Sequence, residues 1–371
     1  MSAVLQQSVG LSHKRIVNHD IMHCTADGVA GNQLYSGRAL GLSEPWDIIQ
    51  LHPDLEPLWD DICAHYARVG LSHTQDVIWH VDRASLGEHI GYLPSVFYFG
   101  PNECVYWGDR QWLDTVEYIN SKNHFMTLAQ QLGVDVPMTC CFPRAADIDA
   151  KVRAATAYPC YLKAAVSVSG VGIYRCQDEA ELTDAVGRFD PDTPVQIQEE
   201  VLSDTFLNLQ YEVVGNQLFR LQASQQILEG TVHQGNQVPA DYEPWDSVEP
   251  MARWLKDQGM KGMFAFDVAV VQGPDGVRFP AIECNPRFNG ASYPTVIAHK
   301  LGIREWTATT FQTRHRDLAS IDLGGLEYDP HTGEGAILVN WGTVLVGKLM
   351  VLMGGSSAYR EALQVELEAV L

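Results

Sequence analysis

The stretch from residue 263 to residue 290 constrains the fold of this chain more than any other. Residues 263–271 (MFAFDVAVV) are mostly β-branched and aromatic, and residues 279–290 (FPAIECNPRFNG) follow after a Gly-Pro-Asp-Gly turn sequence. Two such runs on either side of a glycine- and proline-containing turn predict a β-hairpin. Folding this hairpin about Asp275 places Asp267 opposite Glu283.

The predicted hairpin brings two carboxylates and an amide to one face of a sheet. Side chains two residues apart on a strand share a face, so Asn285 joins Glu283 while Cys284 points away. Two carboxylates about 4 Å apart repel by roughly 4 kcal/mol at an effective dielectric constant of about 20. A hard divalent cation removes this repulsion, and an all-oxygen ligand set suits Mg²⁺. The alternative is a buried acidic pair that Arg287 and backbone amides satisfy.

Arg287 lies two residues beyond Asn285. A planar guanidinium beside the predicted metal would suit a phosphate or a carboxylate.

The composition limits the classes of partner. With 371 residues, 46% of them hydrophobic, the chain is long enough for two or three globular domains. A net charge of −21 argues against nucleic acid and against an anionic membrane surface as partners. The most apolar segment, 336–353, is interrupted by polar residues and glycines, which favours a pair of strands over a membrane span.

Cysteine usage and the N-terminus indicate a cytoplasmic protein. The eight cysteines include no C-x-x-C pair, so most are expected to be reduced core residues. The first residues lack the charged-then-apolar pattern of a secretory signal. His19, His23 and Cys24 have a spacing that could hold a metal, but no matching pair of ligands stands out elsewhere.

Residues 1–115 predict a small α/β layer domain. Short buried strands are expected at 47–51, 76–81 and 95–99, with helical patterns such as 58–69 between them. Ligands of such domains gather outside the carboxyl ends of the strands. Substrate specificity is therefore expected from the loops after these strands together with a polar loop at 229–238, although each residue alone is more simply a solvated one. The residues are His52, Asp82, Arg83, Asn102, Glu103, His233 and Gln234.

Two lysines stand at positions that suit a bound phosphate. Lys122 lies in the first turn of a helix predicted from Ser121 to Gly133, where the helix dipole disfavours a cation. A nearby phosphate would explain it, and so would an ordinary solvated lysine. Lys163 ends a predicted strand before a loop of small residues at 164–173, which could place backbone N–H groups against phosphate oxygens. The alternative is a plain hairpin turn with an exposed lysine.

Further elements are predicted along the chain. Asp178 caps a helix, residues 195–202 form a strand that leads into a linker, and strands at 207–214 and 217–224 flank a Gly-Asn turn. A short helix ends at Gly302, and a last helix begins near Ala358 with Ser356 or Ser357 as its cap.

These pieces in this order resemble the ATP-grasp superfamily. The resemblance covers about residues 115–310 and rests on Lys122, on Lys163 with its loop, on the acidic segment 198–202, and on Asp267 with the Glu-x-Asn-x-Arg run from Glu283. It implies an α/β and α+β fold. An N-terminal α/β layer (pre-grasp) domain at 1–115 would precede a two-subdomain ATP-grasp fold. The small subdomain region would occupy 116–200, and the C-terminal subdomain, with the metal hairpin and the tail, 201–371.

The resemblance also implies roles for individual residues. Lys122, Lys163, Ser169 and Gly170 would contact the phosphates of ATP. The backbones of Glu200 and Leu202 would meet the adenine edge, with Glu199 beside the base. Asp267, Glu283 and Asn285 would hold Mg²⁺, or Mn²⁺ as an alternative ion. Lys163 and Arg287 would be the catalytic residues.

The implied activity is that of an ATP-dependent carboxylate–amine ligase. It would form an acylphosphate, release ADP and phosphate, and join a small-molecule acid to an amino acid or peptide-like amine. A carrier-protein thiol could replace the amine, and a homodimer is compatible with the pattern. A nucleotide-binding or sensing module without ligase activity is the alternative from another class.

Overall fold

The computed structural model describes residues 14–25, 31–89, 91–167, 172–230, 232–274 and 276–371. The strands are β1 (Arg15–Asn18), β2 (Ile48–Gln50), β3 (Asp76–Ile78), β4 (Leu93–Val96), β5 (Thr139–Phe142), β6 (Cys160–Ala164), β7 (Ile173–Cys176), β8 (Val195–Glu199), β9 (Phe206–Val214), β10 (Gln217–Glu229), β11 (Val232–Val238), β12 (Gly262–Ala269), β13 (Val271–Gly273), β14 (Gly276–Arg278), β15 (Ala281–Asn285), β16 (Trp306–Gln312), β17 (Gly335–Asn340) and β18 (Lys348–Gly354). The helices are α1 (Trp59–Arg68), α2 (Pro101–Trp107), α3 (Arg110–Asn120), α4 (Lys122–Gln131), α5 (Ala150–Ala155), α6 (Glu179–Val186), α7 (Trp245–Asp257), α8 (Ser292–Leu301) and α9 (Ser357–Val370).

The chain divides into two units, and both are built from separated segments. Unit 1 comprises residues up to 109 with 221–241 and 287–371, and unit 2 comprises 110–220 and 242–286. The predicted division at residues 115 and 200 stays a prediction. Among the helices of the described ranges, none is both long and apolar enough to cross a membrane.

Unit 1 contains the parallel sheet that the N-terminal sequence predicts. Its strand order is β3-β2-β1-β4, and β1 pairs in parallel with both β2 and β4. The three predicted strands correspond to β2, β3 and β4. The sequence does not predict strand β1, because only Ile16 and Val17 mark it, although both are fully buried. Parallel strands end at one edge of a sheet, so the segments after β1, β3 and β4 are gathered there.

Unit 1 also contains antiparallel strands and the helix α9. Strands β11, β16, β18 and β17 are neighbours in that order, and β17–β18 confirms the strand pair predicted for 336–353. Ser356 Oγ accepts a hydrogen bond from the Tyr359 N–H and caps α9, as predicted. Trp306 and Trp341 are the largest fully buried side chains of the unit 1 core.

The polar loop predicted at 229–238 is wrong for most of its length. Residues Val232–Val238 form β11, which pairs antiparallel with β10 and with β16. The segment is too polar to be recognised as a strand from its sequence, but pairing on both sides satisfies its backbone, and such context outweighs intrinsic preference. Gly230, with φ of 61°, turns the chain between the strands.

Gly235 of β11 is a point where the pairing tolerates no side chain. A Cβ there would lie 2.0 Å from the Ala308 carbonyl oxygen of β16. We expect Gly235→Ala to lower the free energy of unfolding by about 3 kcal/mol, because the backbones must move apart. Urea unfolding followed by circular dichroism measures this. Gly325→Ala is the control, because a Cβ at Gly325 meets no atom of the described residues within 4 Å. Equal losses in both variants would contradict the packing argument.

Unit 2 holds a second sheet that supports helix α4. Strands β5-β8-β6-β7 form an antiparallel sheet, one face of which packs into a core around Leu162, Leu182 and Val195. Helix α4 begins after Ser121, as predicted, and Ser121 caps it by accepting from the His124 N–H. The N–H of Lys122 donates to the Ala165 carbonyl at 2.7 Å, which fixes the start of the helix beside the end of β6.

The hairpin predicted from residues 263–290 is confirmed in register. Strands β12 and β15 are antiparallel, and Asp267 is opposite Glu283. Gly273 pairs with Gly276 at the turn, while Asp275 lies outside the described residues. Strand β9 lies on the other side of β12, and its Asn208 is opposite Asp267.

Candidate functional site

Asp267 lies at the centre of three neighbouring strands of unit 2, and both of its carboxylate oxygens accept amide hydrogen bonds. Asn285 Nδ2 on β15 donates to Oδ2 at 2.9 Å, and Asn208 Nδ2 on β9 donates to Oδ1 at 2.7 Å. Opposite residues of an antiparallel pair share a face, so the convergence of Asp267, Glu283 and Asn285 on one side is confirmed. Cys284 is buried with 7% exposure.

Asn208 was not among the predicted site residues. It stands between Leu207 and Leu209, both fully buried, in a strand that the sequence did predict. The signal was a polar residue in an apolar run, but its partner across the sheet could be known only from the β9–β12 register.

Lys122 is an ion-pair partner of the hairpin. Its Nζ lies 2.8 Å from Glu283 Oε2, and the side chain is 11% exposed. The alternative hypothesis that Lys122 is an ordinary solvated lysine is therefore wrong. Glu283 attracts the ammonium more strongly than the partial charge of the helix N-terminus repels it.

Lys163 is enclosed on the face of its sheet away from the apolar core. Its Nζ donates to Gln198 Oε1 at 2.6 Å, and Gln198 Nε2 donates to Thr139 Oγ1 at 3.0 Å. The alternative of an exposed lysine at a hairpin turn is wrong. Burial lowers the pKa of Lys163 to about 8; Glu283 opposes this shift and Lys122 adds to it. The two lysines and Glu283 are therefore electrostatically coupled.

Gln196 lies opposite Lys163 in the same sheet and is fully buried. Neither its Oε1 nor its Nε2 has a hydrogen-bond partner in the part of the chain that the structure describes. Buried amides are normally satisfied, so this polar group beside Lys163 is suited to a ligand or an ordered water.

The small-residue loop after Lys163 connects two antiparallel neighbours, β6 and β7. Ser169 and Gly170 lie outside the described residues. The loop rejoins the described chain at Gly172, whose φ of 76° favours glycine.

The acidic segment after β8 carries two ordered carboxylates and one exposed apolar side chain. Glu199 Oε1 accepts the Met138 N–H at 2.8 Å, while the Glu199 N–H donates to the Met138 carbonyl. Glu200 forms a two-point ion pair with Arg175, whose hydrogen bond holds the pKa of Glu200 below its usual range. Leu202 is 79% exposed.

The carboxylate face fits a hard divalent cation. Asn285 directs its Nδ2 at Asp267, so its Oδ1 is not engaged with that carboxylate. A carboxylate oxygen has two lone-pair positions, so it can accept more than one partner. With Glu283 these groups form the oxygen donor set that Mg²⁺ prefers.

Arg287 belongs to unit 1, where it lies against an aromatic ring. Its guanidinium carbon is 5.4 Å from the centroid of Phe97, and Nη1 donates to the Phe288 carbonyl at 3.2 Å. Its predicted place beside the metal stays a prediction.

The edge of the parallel sheet gathers several residues named for substrate specificity. Arg83 donates from Nε to Glu103 and pairs with Asp20 at 3.3 Å. A cavity of about 260 Å³ is lined by His23, Val81, Asp82, Arg83, Ala84, Asn102, Val105 and Tyr106. His52 instead caps a turn by accepting from the Asp54 N–H. His233 Nε2 donates to Asn236 Oδ1 at 2.6 Å.

A metal at His19, His23 and Cys24 is not supported. Among the described residues no cluster of three or more His, Cys, Asp or Glu side chains is placed to hold an ion. Both ring nitrogens of His19 are engaged, with the Tyr293 hydroxyl at 2.9 Å and Ser95 Oγ at 3.2 Å.

Solved structures share the fold of this chain. N5-carboxyaminoimidazole synthetase from Staphylococcus aureus in complex with ADP has a TM-score of 0.61 at 11% identity, with 96% of each chain covered. N5-carboxyaminoimidazole ribonucleotide synthetase from Thermus thermophilus has a TM-score of 0.57 at 14% identity, covering 96% of this chain and 98% of its own. L-amino acid ligase from Bacillus licheniformis has a TM-score of 0.53 at 12% identity, covering 96% of this chain and 98% of its own.

These structures are ATP-grasp proteins, and the chain has the ATP-grasp fold that its sequence predicts. No protein-family model matches the chain, and no curated protein matches it by sequence. The similarity is therefore one of fold.

Proposed function

We propose that this protein is an ATP-dependent ligase that joins a small-molecule carboxylic acid to an amine and releases ADP and phosphate. The observation that carries the proposal is the convergence of Asp267, Glu283 and Asn285 on one face of a sheet. Lys122 forms an ion pair with Glu283, and Lys163 interacts electrostatically with both Lys122 and Glu283. The fold supports it, because a protein of the same fold binds ADP and another is an L-amino acid ligase.

The nucleotide is expected to lie along residues of unit 2. Lys122 and Lys163 would hold its phosphates, and Ser169 and Gly170, which lie outside the described residues, are proposed as further phosphate contacts. The backbones of Glu200 and Leu202 contact the adenine edge, and Glu199, fixed by its bond to Met138, lies beside the base. Gln198 holds the Lys163 ammonium toward this space.

Asp267, Glu283 and Asn285 are the residues that would hold Mg²⁺, with Mn²⁺ as an alternative. When bound, the ion neutralises phosphate charge and stabilises the charge that spreads over the transferring phosphoryl group. Lys122 can then exchange Glu283 for a phosphate oxygen, because its flexible ammonium is a point charge without a fixed geometry.

The reaction proceeds in two displacements. A carboxylate oxygen of the acid attacks the γ-phosphorus, the bond to the β,γ-bridging oxygen breaks, and ADP leaves. The lone pair of the amine then attacks the acyl carbon of the acylphosphate, the C–O bond to phosphate breaks, and the amine loses a proton. Lys163 and Arg287 stabilise the negative charge in both steps. Neither step needs a covalent bond to the protein.

The test is a coupled assay for ADP with panels of acids and amines. ADP and phosphate should accumulate only when both an acid and an amine are present, and mass spectrometry should show the amide. Formation of AMP and pyrophosphate would exclude the acylphosphate route. Tight ATP binding without turnover across the panels would favour a sensing module, and turnover only with a carrier protein would favour a thiol acceptor. The cytoplasmic location and a homodimer stay predictions.

The pKa of Lys163 gives a pH dependence. The folded-state pKa of about 8 lies below the ordinary value of 10.5, so the ammonium that binds phosphate is lost as pH rises above about 8. We expect the KM for ATP to rise up to about tenfold per pH unit between about pH 8 and 9.5. Lys163→Met should show a high KM that does not change over this range.

Lys122→Met is the matched control for this profile. Lys122 lowers the pKa of Lys163, so its removal should move the onset of the rise to higher pH while keeping the slope. A rise in KM that persists in Lys163→Met would contradict the assignment.

By the same linkage, Lys163 adds to the stability of the fold as pH rises from about 8 to 10.5, because the unfolded chain then binds the extra proton.

A further inference from the structure

Arg38 of unit 1 is a buried cation that the fold does not neutralise in the usual way. It lies in the 3-10 segment Asn32–Leu42 and is 8% exposed. Burying a guanidinium is costly unless an anion and hydrogen-bond acceptors compensate for its lost hydration. Within the described ranges Arg38 has no acidic partner, and its Nε has no hydrogen-bond partner at all.

Aromatic rings surround Arg38 instead. Its guanidinium carbon lies 4.2 Å from the centroid of Tyr293, 4.9 Å from that of Tyr35 and 5.0 Å from that of Phe97. Cation–π attraction offsets part of the desolvation, but a ring face does not replace the in-plane acceptors that guanidinium N–H groups require. Tyr293 also shares a side-chain hydrogen bond with Arg38, while Nε keeps no partner among the described residues.

A second guanidinium lies against the same ring. Arg287 is 5.4 Å from the centroid of Phe97, so two cations share one aromatic side chain. His19, bonded to the Tyr293 hydroxyl, adds no charge to this cluster, because burial and then Arg38 hold the pKa of its imidazole well below the ordinary value.

Arg83 of the same unit shows the contrast. It is 10% exposed and donates to Glu103 and to Asp20, so its charge and geometry are satisfied within the protein. Arg38 is buried to a similar degree, but it contacts aromatic rings, whereas Arg83 contacts carboxylates. Within the described ranges, no carboxylate takes the place beside Arg38 that Glu103 and Asp20 take beside Arg83.

We propose that Arg38, held between Tyr35, Phe97 and Tyr293, forms the receptor for a substrate carboxylate that is not the one activated by ATP. A planar fork of N–H donors matches a carboxylate at two points, and the flanking rings suit an apolar body attached to it. The carboxylate belongs either to an amino-acid acceptor or to a dicarboxylic acid. This inference deepens the proposed ligase function and rests on it for the identification of the ligand as substrate.

Binding without ATP tests the receptor separately from ligase activity. Isothermal titration of the full chain should compare the common amino acids with their amides, and succinate and glutarate with their monoamides. At least one acid should bind about 30-fold more tightly than its amide. The preference should disappear in Arg38→Met and be reduced in Arg38→Lys, which keeps the charge without the fork. The pair that shows the effect identifies the source of the carboxylate.

Arg360→Met is the matched control. Arg360 is equally buried, at 8% exposure, and its Nε also has no partner among the described residues, but its Nη1 donates to the Gly355 carbonyl. The preference for acid over amide should survive in this variant. A preference that persists in Arg38→Met, or the absence of any saturable carboxylate binding by the unaltered protein, overturns the proposal, as does Arg38-dependent binding of phosphate esters alone. If the protein is an active ligase and Arg38→Met changes nothing, only the carboxylate-receptor proposal is contradicted. If the protein binds the acids but catalyses no ligation, only the proposed ligase function is contradicted.

Discussion

Replacing Glu283 by glutamine is expected to reduce kcat about a thousandfold, which corresponds to about 4 kcal/mol of transition-state stabilisation. The amide keeps the shape of the side chain but removes one of the two charges that face a divalent cation. Asp267→Asn should have a similar effect. In both variants raised Mg²⁺ should restore part of the turnover, and the ADP assay at a series of Mg²⁺ concentrations measures this.

Glu283→Gln also leaves Lys122 without its ion-pair partner, and the two consequences can be separated. The lost pair should lower the free energy of unfolding by up to about 1 kcal/mol. Combining Glu283→Gln with Lys122→Met should recover that stability without restoring turnover. Glu249→Gln is the control, because Glu249 pairs with Arg220 and Arg253 in the same unit. Unchanged magnesium-dependent turnover in Glu283→Gln would show that the metal is held elsewhere.

The second large effect is expected at Arg287. Arg287→Met should lower kcat about a thousandfold and leave the KM for ATP within about twofold, because a guanidinium that stabilises a transferring phosphoryl group acts mainly in the transition state. Steady-state kinetics with a turnover-competent acid and amine separates the two parameters.

Arg68→Met provides the comparison for Arg287, since Arg68 is an exposed arginine of unit 1 that pairs with Glu327. It should change neither parameter. A raised KM for ATP with unchanged kcat in Arg287→Met would mean that Arg287 binds the nucleotide in the ground state and does not act on the chemistry.

The hairpin was predictable because two sequence signals agree on it. The turn residues set the pairing, and the alternation on β15 sets the faces, so the position of Asp267 opposite Glu283 follows from counting. The pairing of Lys122 with Glu283 could not be counted in this way. Their separation in sequence is long, and only the packing of unit 2 brings them together.

The surroundings of Arg38 and the conformation of β11 could not be predicted from sequence patterns. Arg38 lies in a 3-10 segment without a clear apolar period, and its surroundings come from Phe97 and Tyr293, which are distant in sequence. Strand β11 has too few apolar residues to predict a strand, and its pairing with β16 decides its conformation. Long-range contacts outweigh local preference in both cases.

The chain passes from one unit to the other after residues 109, 220, 241 and 286. Neither unit is therefore a continuous stretch of the gene. Exchanging a single block of coding sequence with a relative would carry part of each unit, and a truncated clone would remove strands from both. The last passage falls between Asn285 and Arg287, so an exchange that ended there would separate the proposed metal ligands from the proposed catalytic arginine. Recombination that preserves function is expected to keep these two residues in one inherited segment.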